Sequence, residues 1–158
     1  MSSSDERGKL KKLIETQCAE FAVYQGVGRV HPEIIDETRH WLDVCPAARD
    51  VYVSAIDKYN SKIYVRNILD DLRLSLEILL KFVLKNNKSL ENKISELGKY
   101  IKSRGGSPQL VSIFTKLVDY YSHYQNNFVK HSDSVKITEV EFVMEIASSF
   151  MKHVIRVR

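Results

Sequence analysis

Helix breakers are scarce in this chain. Three prolines and six glycines occur in 158 residues, and they punctuate segments of regular apolar spacing, as expected between helices. No apolar run approaches the roughly 18 residues that a bilayer span needs. The opening Met1-Ser2-Ser3-Ser4-Asp5-Glu6 is polar and acidic, unlike the basic start and apolar stretch of a secretory leader. Together these features lead to an expected cytoplasmic protein with no membrane partner. Cysteine is also rare: Cys18 and Cys45 have no metal-ligand spacing. They read as buried thiols, with a disulfide or redox pair as the alternative. No stretch alternates convincingly as a strand, Tyr52-Val53 and Val154-Ile155-Arg156-Val157 being the only β-leaning pieces, and no internal repeat or low-complexity tract is visible.

Hydrophobic residues make up 44% of the chain, enough for a packed core rather than disorder. The length suits one domain, or one domain with an extension. The net charge of +4 and a pI near 9.0 favour a polyanionic or acidic partner. The positive charge is scattered, however, over Lys9/Lys11/Lys12, Lys99/Lys102/Arg104 and Lys152/Arg156/Arg158. Basic residues in a last helical turn also complement the helix dipole without any ligand.

The apolar spacing predicts helices over about 6–24, from Pro32, over about 47–59, over 62–84, over 90–102 with Ser89 as N-cap, from Pro108 to about 130, and from Thr138 onward. Ser107-Pro108 reads as an N-cap followed by an N1 proline. Thr138-Glu139-Val140-Glu141 reads as a capping box. Gly105-Gly106 closes the helix before Pro108. The expected fold is all-α: an antiparallel bundle of four to five helices over residues 46–158, with residues 1–45 as an N-terminal helical extension.

Two polar features stand out. On the helix over 62–84, Arg66, Asp70, Arg73 and Glu77 are spaced four, three and four apart, which places them on one narrow strip with alternating charge. The strip lies between an apolar arc of Val65, Leu69, Leu72 and Leu76 and a second arc of Leu74, Ile78 and Phe82. Three readings stand: ordinary surface ion pairs, a buried network fixing helix packing or a dimer, or contact with a ligand. The second feature is Gln125-Asn126-Asn127-Phe128-Val129-Lys130-His131, a polar cluster that closes one helix and leads into the last. A histidine there serves as a cap or dipole partner, or as a group able to exchange protons near neutral pH. The row Tyr120, Tyr121, Tyr124 and Phe128 has the spacing of core or interface packing, with base stacking as the alternative. Asp119, His123 and His131 have no recognised metal-ligand spacing, so no metal or other cofactor is expected.

The segments Arg66 to Glu77, Lys88-Ser89-Leu90-Glu91-Asn92 and Asn126 to His131, in this helix order, resemble the HEPN superfamily. They are most similar to the abortive-infection C-terminal-type HEPN domains of bacterial anti-phage and restriction-associated proteins. The resemblance covers roughly residues 47–156. It implies a homodimer of helical bundles, RNA as a ligand and, in many members, metal-independent endoribonuclease activity. The family signature is an Arg, a polar residue, three residues and a His. His131 falls on the His and Asn127 on the polar position; the arginine position holds Asn126. The resemblance makes His131, Asn126 and Asn127 the catalytic candidates and Lys130, Arg66 and Arg73 the RNA-binding candidates, with Asp70 and Glu77 as structural members of the strip. Asparagine brings no cation to a phosphate, so the resemblance equally implies an inactive dimerisation or protein-interaction module. A third reading, a DNA-binding regulator using residues 6–42, has only Lys9, Lys11 and Lys12 behind it.

Overall fold

The computed structural model describes residues 5–13, 30–62, 65–128 and 136–158, with backbone alone at residues 122 and 124–128. Every regular element among them is helical. Residues 5–13 form α1, exposed along its whole length. Then come α2 (Pro32–Trp41), a 3₁₀ turn (Leu42–Val44), α3 (Pro46–Asn60), α4 (Val65–Leu84), a second 3₁₀ turn (Leu90–Lys93), α5 (Ile94–Ser103), α6 (Pro108–Phe128) and α7 (Ile137–Arg156).

Proline starts three of these helices. Pro32 and Pro46 occupy the first turns of α2 and α3, where a missing N–H costs nothing. Pro108 opens α6, and the Leu110 amide donates to Ser107 Oγ at 3.1 Å, the expected cap. Gly105, at φ 85°, lets the chain leave α5, and the Gly106 amide donates back to Ile101 O at 2.9 Å. Gly98 is not punctuation. It lies inside α5, where an added Cβ would come within 3.2 Å of Val111 Cγ1, so it marks the close approach of α5 to α6.

Other expectations are corrected. Both β-leaning pieces are helical except at Val157, because their apolar side chains face a helical core. No side chain caps α7. Its N-cap is Lys136, and Glu141, expected to reach back to Thr138, instead accepts the Tyr59 hydroxyl proton at 2.7 Å. The side chain of Ser89 does not cap the turn it precedes; its hydroxyl accepts from Asn92 Nδ2 at 2.8 Å.

Helix α7 is the hub. Ten of its 20 residues are buried, and α2, α3, α4, α5 and α6 all touch it. It runs antiparallel to α3, with Tyr52 against Ser148 and Tyr59 against Glu141. It also runs antiparallel to α6, with Phe114 edge-on to Phe150 and Tyr120 bonded to Glu139. It is parallel to α4, with Ser75 near Met151 and the Arg158 guanidinium 4.6 Å from the Phe82 ring centre. Tyr100 of α5 donates to the Val154 carbonyl at 3.2 Å. One end of the bundle therefore gathers the C-terminal ends of α3 and α6 and the N-terminal ends of α4 and α7.

Helix α2 is fastened to this bundle by buried hydroxyls. Thr38 Oγ1 lies 2.7 Å from Ile34 O and 3.3 Å from Ser148 O. Ser148 Oγ donates to Met144 O at 2.6 Å and so receives the Tyr52 hydroxyl proton at 2.7 Å. At the surface Lys152 pairs with Glu37. Replacing Thr38 with valine keeps the shape and removes the bridge. The expected loss is about 1 kcal/mol in urea unfolding, and a loss below measurement error would show that the bridge carries no net stability.

Candidate functional site

The polar cluster expected to carry chemistry sits on the α6–α7 hairpin. Asn126 and Asn127 lie in the last turn of α6, their side chains outside the described set. Lys130 and His131 fall outside the described residues, in the connection between Phe128 and Ile137. Of the aromatic row, Tyr121 is fully buried in the core and Tyr120 is partly buried against it. The Tyr121 hydroxyl has no hydrogen-bond partner among the described residues, and complete burial pushes it far above the usual phenol range. His123 is exposed. No group of three His, Cys, Asp or Glu side chains among the described residues is placed to hold a metal ion.

The α4 strip divides in two. Its first half, at the end of the bundle where α6 finishes, is solvated: Arg66 and Asp70 are 54% and 41% exposed and pair loosely at 3.8 Å. Partial burial pushes the Asp70 carboxyl up, against the pull of Arg66 and Arg73. In the second half, Arg73 and Glu77 are only 17% and 12% exposed. Arg73 Nη2 reaches Glu91 of the second 3₁₀ turn at 3.0 Å, and Lys81 reaches Glu77 at 2.8 Å. Beside them Lys93 is fully buried and donates to Asn86 Oδ1 at 2.6 Å; burial, with Lys81 nearby, holds its ammonium below the usual range. Asn86 and Lys88 both bind Glu96 of α5. This half is an ionic knot tying the α4–α5 connection to α4. The two apolar arcs flanking the strip also differ. Leu69, Leu72 and Leu76 are core, whereas Leu74 and Phe82 are surface.

A feature that sequence reading did not find is a cleft of about 280 Å³ between α2 and α3, floored by Met144 of α7. Ile35 and Ile56 wall it, Asp36 and Arg39 stand on its α2 side, and Asp57 and Asn60 stand on its α3 side. Arg39 Nη2 donates to Asp36 Oδ1 at 3.1 Å. Tyr52 and Tyr59 also line the cleft, their hydroxyls given to Ser148 and Glu141. The signal was present but faint: residues 35, 36 and 39 of one helix and 56, 57 and 60 of the next repeat an apolar–acidic–polar spacing.

No family model, curated protein or solved structure matches this chain.

Proposed function

We propose that this chain is a HEPN-like, RNA-binding helical domain of a bacterial phage-defence or toxin system, with its site on the α6–α7 hairpin and metal-independent phosphodiester cleavage as its chemistry. The observation that carries this reading is a coincidence of ends. The Asn126-Asn127 turn closes α6 at the same end of the bundle where α4 begins with the solvated Arg66. The connection bearing Lys130 and His131 leads from that turn into α7. When a ribose 2′-OH attacks the adjacent phosphorus, the P–O5′ bond breaks to leave a 2′,3′-cyclic phosphate and a 5′-OH. His131 supplies a group that can take the 2′-OH proton or deliver one to the leaving 5′-oxygen, and Arg66 and Lys130 supply phosphate contacts. Arg73 is assigned a different task, since its guanidinium is held by Glu77 and Glu91. With Asn126 at the signature's arginine position, the rate is expected to be low, by about 10²–10³ relative to a site with that cation.

The test uses labelled RNA at low salt. Wild type is expected to bind with affinity that falls as salt rises. Arg66→Ala should weaken binding across sequences and reduce the salt slope by about one. His131→Ala should bind but not cut, and Asn126→Arg should cut faster. Failure of wild type to bind RNA at low salt sinks the reading.

A second reading has its own observation. Leu74 and Phe82 lie on one helix and are 43% and 39% exposed, and an apolar helix edge of this kind supports a non-enzymatic dimerisation or protein-interaction module. It requires a stable dimer or complex unaffected by His131→Ala, and sedimentation as a monomer at micromolar concentration would exclude the homodimer.

A further inference from the structure

The cleft between α2 and α3 differs in chemistry from the rest of the molecule. The chain carries a net charge of +4, yet the cleft sets two carboxylates, Asp36 and Asp57, against one guanidinium, Arg39. The hydrogen-bond inventory leans the same way. Tyr52 and Tyr59 have already given their hydroxyl protons to Ser148 and Glu141, and Arg39 is turned to Asp36. The Asp57 carboxylate has no ion pair or side-chain hydrogen bond among the described residues. What remains for a guest is the Asp57 carboxylate, the second oxygen of Asp36 and the Asn60 amide, which both accepts and donates, above an apolar floor and walls of Met144, Ile35 and Ile56. A guest that fits brings donors, positive charge and a short apolar body. An anion would meet two carboxylates, and a purely apolar guest would leave them without donors.

We infer that this cleft is a binding site for an organic ammonium ion, its charged head between Asp36 and Asp57 and its alkyl stem against Ile35, Ile56 and Met144. The same chemistry is carried by a free alkylamine and by a lysine side chain of a partner. The site owes nothing to the α6–α7 hairpin, so it stands or falls apart from the RNA reading. Its volume of about 280 Å³ accommodates a four- or five-carbon amine.

The experiment is a methyl-resonance titration of the full chain, following Ile35, Ile56 and Met144. n-Butylammonium is expected to shift these methyls saturably, whereas n-butanol and butyrate at equal concentration should not. Asp57→Asn and Asp36→Asn, both at exposed positions, should each weaken the ammonium about tenfold, with unchanged melting temperature showing that the fold is intact. Nα-acetyl-lysine methylamide supplies the second arm: tighter binding than n-butylammonium assigns the site to a partner's lysine, and weaker binding assigns it to a free amine. Absence of saturation with both amines, equal response to n-butanol, or indifference to both aspartate variants overturns the inference.

Discussion

Replacing Phe150 with alanine is expected to destabilise the fold by about 3–5 kcal/mol, read as a lower urea midpoint and a melting temperature lower by roughly 10 °C. Phe150 is 2% exposed on α7, with its ring centre 4.0 Å from that of Phe114 at 82°. Alanine would leave a cavity where α6 meets the central helix, and a packed core cannot close such a void without strain. Against a total stability of about 5–15 kcal/mol, that is a large fraction. The control lies on the same helix. Phe142 is 61% exposed, and Phe142→Ala should change stability by less than about 0.5 kcal/mol. Equal losses in the two variants would mean that the buried face of α7 has been assigned wrongly.

Alkaline pH should weaken the fold through its buried tyrosines. Burial pushes the Tyr52 hydroxyl up to about 12. In the unfolded chain the same phenol titrates near 10. The folded state thus holds its proton after the unfolded state has lost it. The stability this represents, about 2–3 kcal/mol, is fully present below pH 10 and is lost as pH rises from about 10 to 12. Tyr121 adds to the loss in the same direction. Lys93 opposes it, since an ammonium held below its usual range favours folding as pH rises. Urea midpoints measured from pH 8 to pH 12 should fall steeply above 10. Tyr121→Phe should flatten that fall and, by removing a buried hydroxyl with no partner among the described residues, raise stability at pH 8 by about 1 kcal/mol. A flat profile from pH 9 to 11.5 would refute the assignment of these phenols to the core.

The expected site was legible only as residue types. Arg66 to Glu77 has one spacing along its length, yet Arg66 and Asp70 are solvated while Arg73 and Glu77 are nearly enclosed. Nothing in the strip foretells this, because the Leu90–Lys93 turn, which reaches Arg73 through Glu91, comes later in the chain. The capping box failed for a similar reason: Glu141 found a better partner in Tyr59, 82 residues away. The α2–α3 cleft was not foreseen either. Each helix alone shows an ordinary polar edge, and the concavity forms only where the two come together over Met144.

Local sequence was enough to assign every regular element among the described residues to helix and to place where most helices begin. Scarce glycine and proline, apolar steps of three and four, and Pro32, Pro46 and Ser107-Pro108 act within a few residues of themselves. Tertiary structure alone decided which stripe of each helix meets water, which carboxylates are paired, and that α7 is the hub. Those outcomes depend on which distant segment covers a given face, and burial, unlike helical period, is a property of neighbours rather than of the chain's local order.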